Sequence, residues 1–143
     1  MTDLSEAWTA PPSAPPSEAD RAAVTAAVLD YFEGWFDGDA ERMRRALHPD
    51  LAKRSFGQDA GRTPTLATDT ADEMVEATGA GYGRARAGDR RLDIRIDDIS
   101  AGIASVSVDC WSYVEYLHLV STPDGWKIVN ALWRFADGHG PRR

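Results

Sequence analysis

The periodicity of the apolar side chains changes once along this chain, and that change divides it into a helical part and a sheet part. From Arg90 onward the period is two, with Leu92, Ile94 and Ile96 alternating against Asp93, Arg95 and Asp97, as in a strand with one buried face. Upstream the spacing is helical. Ser17, followed by Glu18 and Asp20, forms a capping-box start, and Val24, Val28, Tyr31, Phe32 and Trp35 recur on one helical side as far as Gly38. Asp39 caps a second, short helix with Met43, Ala46 and Leu47 on its apolar side, and Pro49 ends it.

A small hairpin is expected next, running through Leu51 and Phe56, turning near Gly57 to Gly61 and returning around Thr63 to Leu66. Thr70 and Glu73 form another capping box, opening a third helix whose spacing extends to Tyr82 across Gly79 and Gly81. The remainder reads as a meander, with strands over Ile103 to Cys110, Tyr113 to Ser121 and Trp126 to Phe135 separated by Gly- and Pro-containing turns. The pattern predicts an α+β chain with one domain over residues 17–136. A Pro/Ala-rich flexible leader, residues 1–16, precedes it and a tail, residues 137–143, follows. Trp8 in the leader is expected to be part of a solvated arm.

Composition narrows the function classes. Sixteen basic against 23 acidic side chains give a net charge near −7, which repels a phosphate backbone or an anionic membrane surface and predicts neither a nucleic-acid nor a membrane partner. Cys110 is the only cysteine, and no charged segment followed by an apolar run opens the chain, so a reducing, cytoplasmic location is expected. The 3 histidines lack paired ligand spacing and no glycine-rich loop joins a strand to a helix. Neither a metal nor a nucleotide cofactor is therefore expected.

The order of elements, with Tyr31 in the first helix, Gly38-Asp39 at the corner and His48-Pro49-Asp50 before the hairpin, resembles the nuclear transport factor 2-like superfamily. The stretches HPDLAKR (His48 to Arg54) and YLHLVSTPDGWKIVNALW (Tyr116 to Trp133) are similar to its branch named for lumazine binding. The resemblance covers roughly Asp20 to Arg134. It implies a cone-shaped fold, three helices on a strongly curved, mostly antiparallel sheet around a pocket, and a homodimer. The superfamily includes ketosteroid isomerases, scytalone dehydratases, polyketide cyclases and non-catalytic domains, so the resemblance alone selects no reaction. Tyr31 before Asp39 matches the first-helix tyrosine of the isomerases. Their catalytic-base aspartate falls, on an ungapped count, at Ser55, whose hydroxyl is no base near neutral pH.

The candidate acid–base residues are His48, Asp109 and Tyr31. His48 can hold or release a proton near neutrality, or it can close a local turn. Asp109 interrupts an apolar strand and shares strand parity with Ser105, Ser107 and Trp111, so its role depends on which sheet face is concave. Glu115, of the same parity as Leu117 and Leu119, carries the same alternative. Lys53 and Arg54 point to opposite faces of a strand, so one of them can enter the pocket and hold an acidic ligand, while a solvated pair is the plainer reading. Trp35, Trp111, Tyr116, His118 and Trp133 are the candidate binding residues for a flat ligand, with core packing as the alternative for the aromatics. Cys110 lacks a histidine partner and reads as a small buried hydrophobe. These residues predict a small-molecule pocket protein acting on a compact organic ligand, with cofactor-independent acid–base chemistry of isomerase, dehydratase or cyclase type within its reach. The alternative is a non-catalytic dimerisation or protein-interaction domain using the outer sheet face.

Overall fold

The structure is a computed structural model that describes residue 9 and residues 15–140. Most of the expected leader, including Trp8, lies outside the described residues, as does the end of the tail. Helix α1 (Glu18–Asp37) starts at a capping box in which the Ser17 hydroxyl accepts from the Asp20 amide at 3.0 Å and the Asp20 carboxylate accepts from the Ser17 amide at 3.2 Å. It stops at Gly38, whose φ of 69° is the left-handed geometry that glycine adopts without steric cost. Asp39 then accepts from the Arg42 amide and caps α2 (Ala40–Ala46). Helix α3 (Ala71–Gly79) opens at the Thr70–Glu73 capping box. It ends at Gly79 rather than reaching Tyr82, because the chain turns through Gly81 at φ 86°.

Among the described residues, six strands form one sheet: β1 (Leu47–Gln58), β2 (Pro64–Asp69), β3 (Leu92–Ser100), β4 (Ile103–Cys110), β5 (Tyr113–Thr122) and β6 (Gly125–Phe135), in the order β2-β1-β6-β5-β4-β3. All neighbours are antiparallel except β1 and β6, which run parallel. Strand β1 is longer than the sequence suggests and takes in His48 and Pro49. The register between β1 and β6 shifts between Leu47 and Ala52, so Pro49, which has no amide hydrogen to donate, falls in the irregular stretch. Further shifts occur in β3 between Ile96 and Asp98 and in β5 between His118 and Leu119. Such irregularities bend strands, and here they accompany a curved sheet that holds the three helices on one face.

That helix-covered face supplies the core. Val106 and Val108 of β4, Leu117 and Leu119 of β5 and Ile128 of β6 meet Val24, Val28 and Phe32 of α1, all of them buried. Each such side chain contributes roughly 1.5–3 kcal/mol relative to an exposed position. No helix among the described residues is long and apolar enough to cross a membrane.

Candidate functional site

Toward the open end of the helix-covered face, apolar packing gives way to three buried polar side chains. Tyr31 projects from the second half of α1, Lys53 from β1 and Glu115 from β5, the whole residues being 2 %, 7 % and 3 % exposed. Strand pairing explains the convergence. Glu115 lies opposite Val108 on one side and Trp133 on the other, and Lys53 lies beside Ala131, so both side chains belong to the core-facing set of the sheet. The Tyr31 hydroxyl accepts a hydrogen bond from the Lys53 ammonium and donates one to Glu115, and Lys53 Nζ lies 3.5 Å from Glu115 Oε1.

Opposite charges held this close offset part of each other's desolvation, and the phenol fills a hydrogen-bonding site on each. Aromatic faces enclose the cation as well. Lys53 Nζ lies 4.9 Å from the Tyr31 ring centroid, 5.5 Å from that of Trp133 and 6.0 Å from that of Trp35, within the range of attraction between a cation and a π face. Burial, and then the negative charge of Glu115 and the hydrogen bond to it, push the Tyr31 hydroxyl well above the ordinary tyrosine value of 10.0. It is a neutral phenol at physiological pH, committed as a donor to Glu115.

These groups form one wall of a chamber of about 100 Å³, completed by Trp35, Trp133, Tyr113, Met74, Asp69 at the end of β2 and other residues of α1 and α3. Most of its lining is aromatic or aliphatic. The Trp35 indole donates to the Tyr113 hydroxyl at 3.5 Å, whereas the indole nitrogen of Trp133 is buried without a hydrogen-bond partner among the described residues. An unpaired buried donor costs about 1–3 kcal/mol, so an acceptor arriving beside it gains correspondingly.

Three of the sequence-derived candidates, Tyr31, Trp35 and Trp133, therefore come together around the chamber. The other five do not line it. His48 is part-exposed at the start of β1, where its Nδ1 accepts from the Asp50 amide at 3.0 Å and closes a local turn. Asp109 faces away from the helices because Val108 and Cys110, its strand neighbours, take the core positions, and its carboxylate pairs with Arg95 at 3.3 Å. Tyr116 and His118 lie on that same outer face by strand alternation, Tyr116 being 55 % exposed and His118 lying 3.4 Å from the Asn130 amide. Trp111 is half-exposed beyond the end of β4, edge-on to His139 with ring centroids 4.5 Å apart. Lys53 and Glu115 were read in the sequence only as ambiguous charges. The signal for Glu115 is its parity with Leu117 and Leu119, both buried. Cys110 is buried on the core face, and burial pushes its thiol up, away from nucleophile character.

With this geometry in hand, comparison with known proteins places the fold. Residues 19–134 match the family described as "Putative lumazine-binding". The chain belongs to that family. Its fold is also that of an NTF2-like protein of unknown function from Silicibacter pomeroyi DSS-3, with a TM-score of 0.69 and 20% identity over 82% of this chain and 97% of that one. A cystatin-like fold protein from Burkholderia xenovorans LB400 is similar at a TM-score of 0.64 and 17% identity, over 91% of this chain and 100% of the other. A ketosteroid isomerase-like protein from Erwinia carotovora atroseptica SCRI1043 matches at 0.53 and 15% identity, over 85% and 99%. Among curated proteins none matches. At these identities the structural likenesses establish the fold, an NTF2-like α+β cone, and the choice of ligand falls to the chamber's own chemistry.

Proposed function

We propose that this protein binds a compact, partly aromatic small molecule in the chamber, with Tyr31, Lys53 and Glu115 as its polar end and Trp35 and Trp133 as flanking walls. The observation that carries this reading is the Lys53–Tyr31–Glu115 cluster itself. A buried ammonium and carboxylate contribute little to net stability compared with apolar side chains of similar volume, so their retention beside a cavity fits recognition of a polar group. A ligand carbonyl or ring nitrogen would accept from Lys53 or from the unpartnered Trp133 indole. The same three residues are the set through which cofactor-independent proton transfer would run, with Glu115 as proton acceptor and Lys53 holding negative charge that develops on the ligand.

The family description makes lumazine, a flat heterocycle bearing ring nitrogens and carbonyls, a sensible first probe, and 2-naphthoate a second of unrelated polar pattern. Calorimetric titration of the wild type and of Ala77→Phe tests the reading, because Ala77 lines the chamber and a phenyl group there would occupy it. Binding should fall about tenfold or more in a variant that still unfolds cooperatively. Wild-type affinity in Ala77→Phe for every probe that binds would overturn the proposal.

A second reading concerns the outer sheet face, where Tyr116 lies directly opposite Leu132 and both remain about half-exposed. Such a patch suits a second copy of the chain, giving a homodimer through the sheet. Sedimentation at micromolar concentration should then show a dimer that Leu132→Glu converts to monomer. A wild-type monomer would reject it.

A further inference from the structure

The chamber does not end at its own walls. Trp35, Tyr113 and Trp133 line it and also line a second, larger groove of about 790 Å³. Tyr82, Trp111 and Phe135 extend the aromatic surface of this outer groove, and Arg84 and Arg86 stand in it with His139. Among the described residues, Asp89 is the one acidic side chain lining it. In a chain of net charge −7, this is a local reversal of sign.

The segment carrying the two arginines is held in place. Gly83 is buried flat against Trp35, and a Cβ added there would fall inside the indole, so the backbone approaches as closely as only glycine permits. Arg84 packs where Gly38 and Gly81 leave room, a Cβ at either position coming within 3.1 Å of its guanidinium. Arg90 anchors the end of the segment, donating to the Ala85 and Phe36 carbonyls at 2.9 and 3.1 Å and pairing with Asp37. The guanidinium groups of Arg84 and Arg86, unlike that of Arg90, make neither a hydrogen bond nor an ion pair to any described residue. Two guanidinium groups without partners on an aromatic groove suit an anionic oxygen group attached to a ring system, because arginine pairs with carboxylate or phosphate in a two-pronged geometry.

We infer that the outer groove is the anion-binding part of the same site, and that the ligand is a planar aromatic acid whose ring rests on the shared walls Trp35, Tyr113 and Trp133 while its carboxylate or phosphate meets Arg84 and Arg86. This rests on the proposed binding role of the chamber. It adds the charge of the ligand and the direction in which the ligand points.

A matched pair of probes tests it, 2-naphthoate and neutral 2-naphthalenemethanol, titrated calorimetrically into wild type, Arg86→Gln, the double variant Arg84→Gln/Arg86→Gln, and Ala77→Phe. The wild type should prefer the acid. Arg86→Gln, a change at an exposed side chain, should weaken the acid several-fold, and the double variant about tenfold or more, with the alcohol unchanged and the preference reduced by added salt. Equal affinity of wild type for both probes, or unchanged binding of the acid in the double variant, would overturn the anion site even if Ala77→Phe weakens both probes and so upholds the chamber. Probes that bind but ignore Ala77→Phe would remove the chamber reading, and the inference built on it would fall too. Failure of both probes to bind at millimolar concentration would overturn the inference.

Discussion

Two ion pairs of nearly equal length occupy opposite faces of the sheet. Lys53 and Glu115 lie 3.5 Å apart under the helices with side chains 8 % and 4 % exposed, whereas Arg95 and Asp109 lie 3.3 Å apart on the outer face at 60 % and 42 %. Distance alone would rank them together. Burial separates them, because water has already solvated the outer charges and screens their attraction, while each inner charge has lost several kcal/mol of hydration that only its partner and Tyr31 offset. The inner pair is therefore a constraint on the fold as well as part of the proposed site, and removing half of it differs in kind from removing half of the outer one.

The largest expected effect follows from breaking the inner pair. Glu115→Leu leaves the Lys53 ammonium buried without its counter-charge and should lower unfolding free energy by about 3–5 kcal/mol in urea titration. The triple change Tyr31→Phe/Lys53→Met/Glu115→Leu removes every polar member together and should recover most of that loss while abolishing ligand binding. If the triple variant is no more stable than Glu115→Leu, desolvation is not what distinguishes the two faces.

Tyr31→Phe is the next in size, at about 1–3 kcal/mol near neutral pH, since it removes the hydroxyl that bridges the two charges. It also has a pH signature. The folded-state value of Tyr31 is raised above its unfolded value of about 10.0, so the native state retains a proton that the unfolded chain releases. Stability from this source is complete below that value and is lost as pH rises through the window above it. Urea midpoints measured between about pH 9 and 11 should fall more steeply for wild type than for Tyr31→Phe. Parallel curves would show that the hydroxyl is not perturbed.

The smallest effect belongs to the outer face. Asp109→Ala should change stability by less than about 1 kcal/mol. The ligand affinity of the chamber should stay unchanged, which a melting curve and a calorimetric titration check together. A loss of binding without a loss of stability would return Asp109 to the site.

Much of the fold was legible because its signals are local. The Ser17–Asp20 and Thr70–Glu73 boxes mark two helix starts, and Gly38-Asp39 marks the corner between α1 and α2. Alternation of Leu92, Ile94 and Ile96 marks the sheet. The candidate site was less so, since its polar members come from α1, β1 and β5 and meet only through strand pairing that no local pattern encodes. Tyr31, Trp35 and Trp133 could be singled out by residue type, but Lys53 beside Arg54 looks like a solvated pair until β1 is known to lie against β6. Asp109 illustrates the converse. A carboxylate among apolar neighbours stands out in sequence, yet alternation turns it to the wet face.

The parallel pairing of β1 with β6 also governs when the chamber comes into being. Strands β3 to β6 form a chain of hairpins, each closing over a short turn, whereas Leu47 must find Ile128 and Lys53 must find Ala131 across most of the domain. Closing so long a loop has an entropic cost that is recovered only when the whole interface zips, so this junction is expected to form late in folding. A ribosome-bound chain that has emerged only as far as β5 holds Tyr31, Lys53 and Glu115 but has no Trp133 and no strand to join the β1–β2 pair to β5. The chamber is thus withheld until the last strand is made, and the proposed ligand capture by a chain still being synthesised would begin only once β6 has emerged.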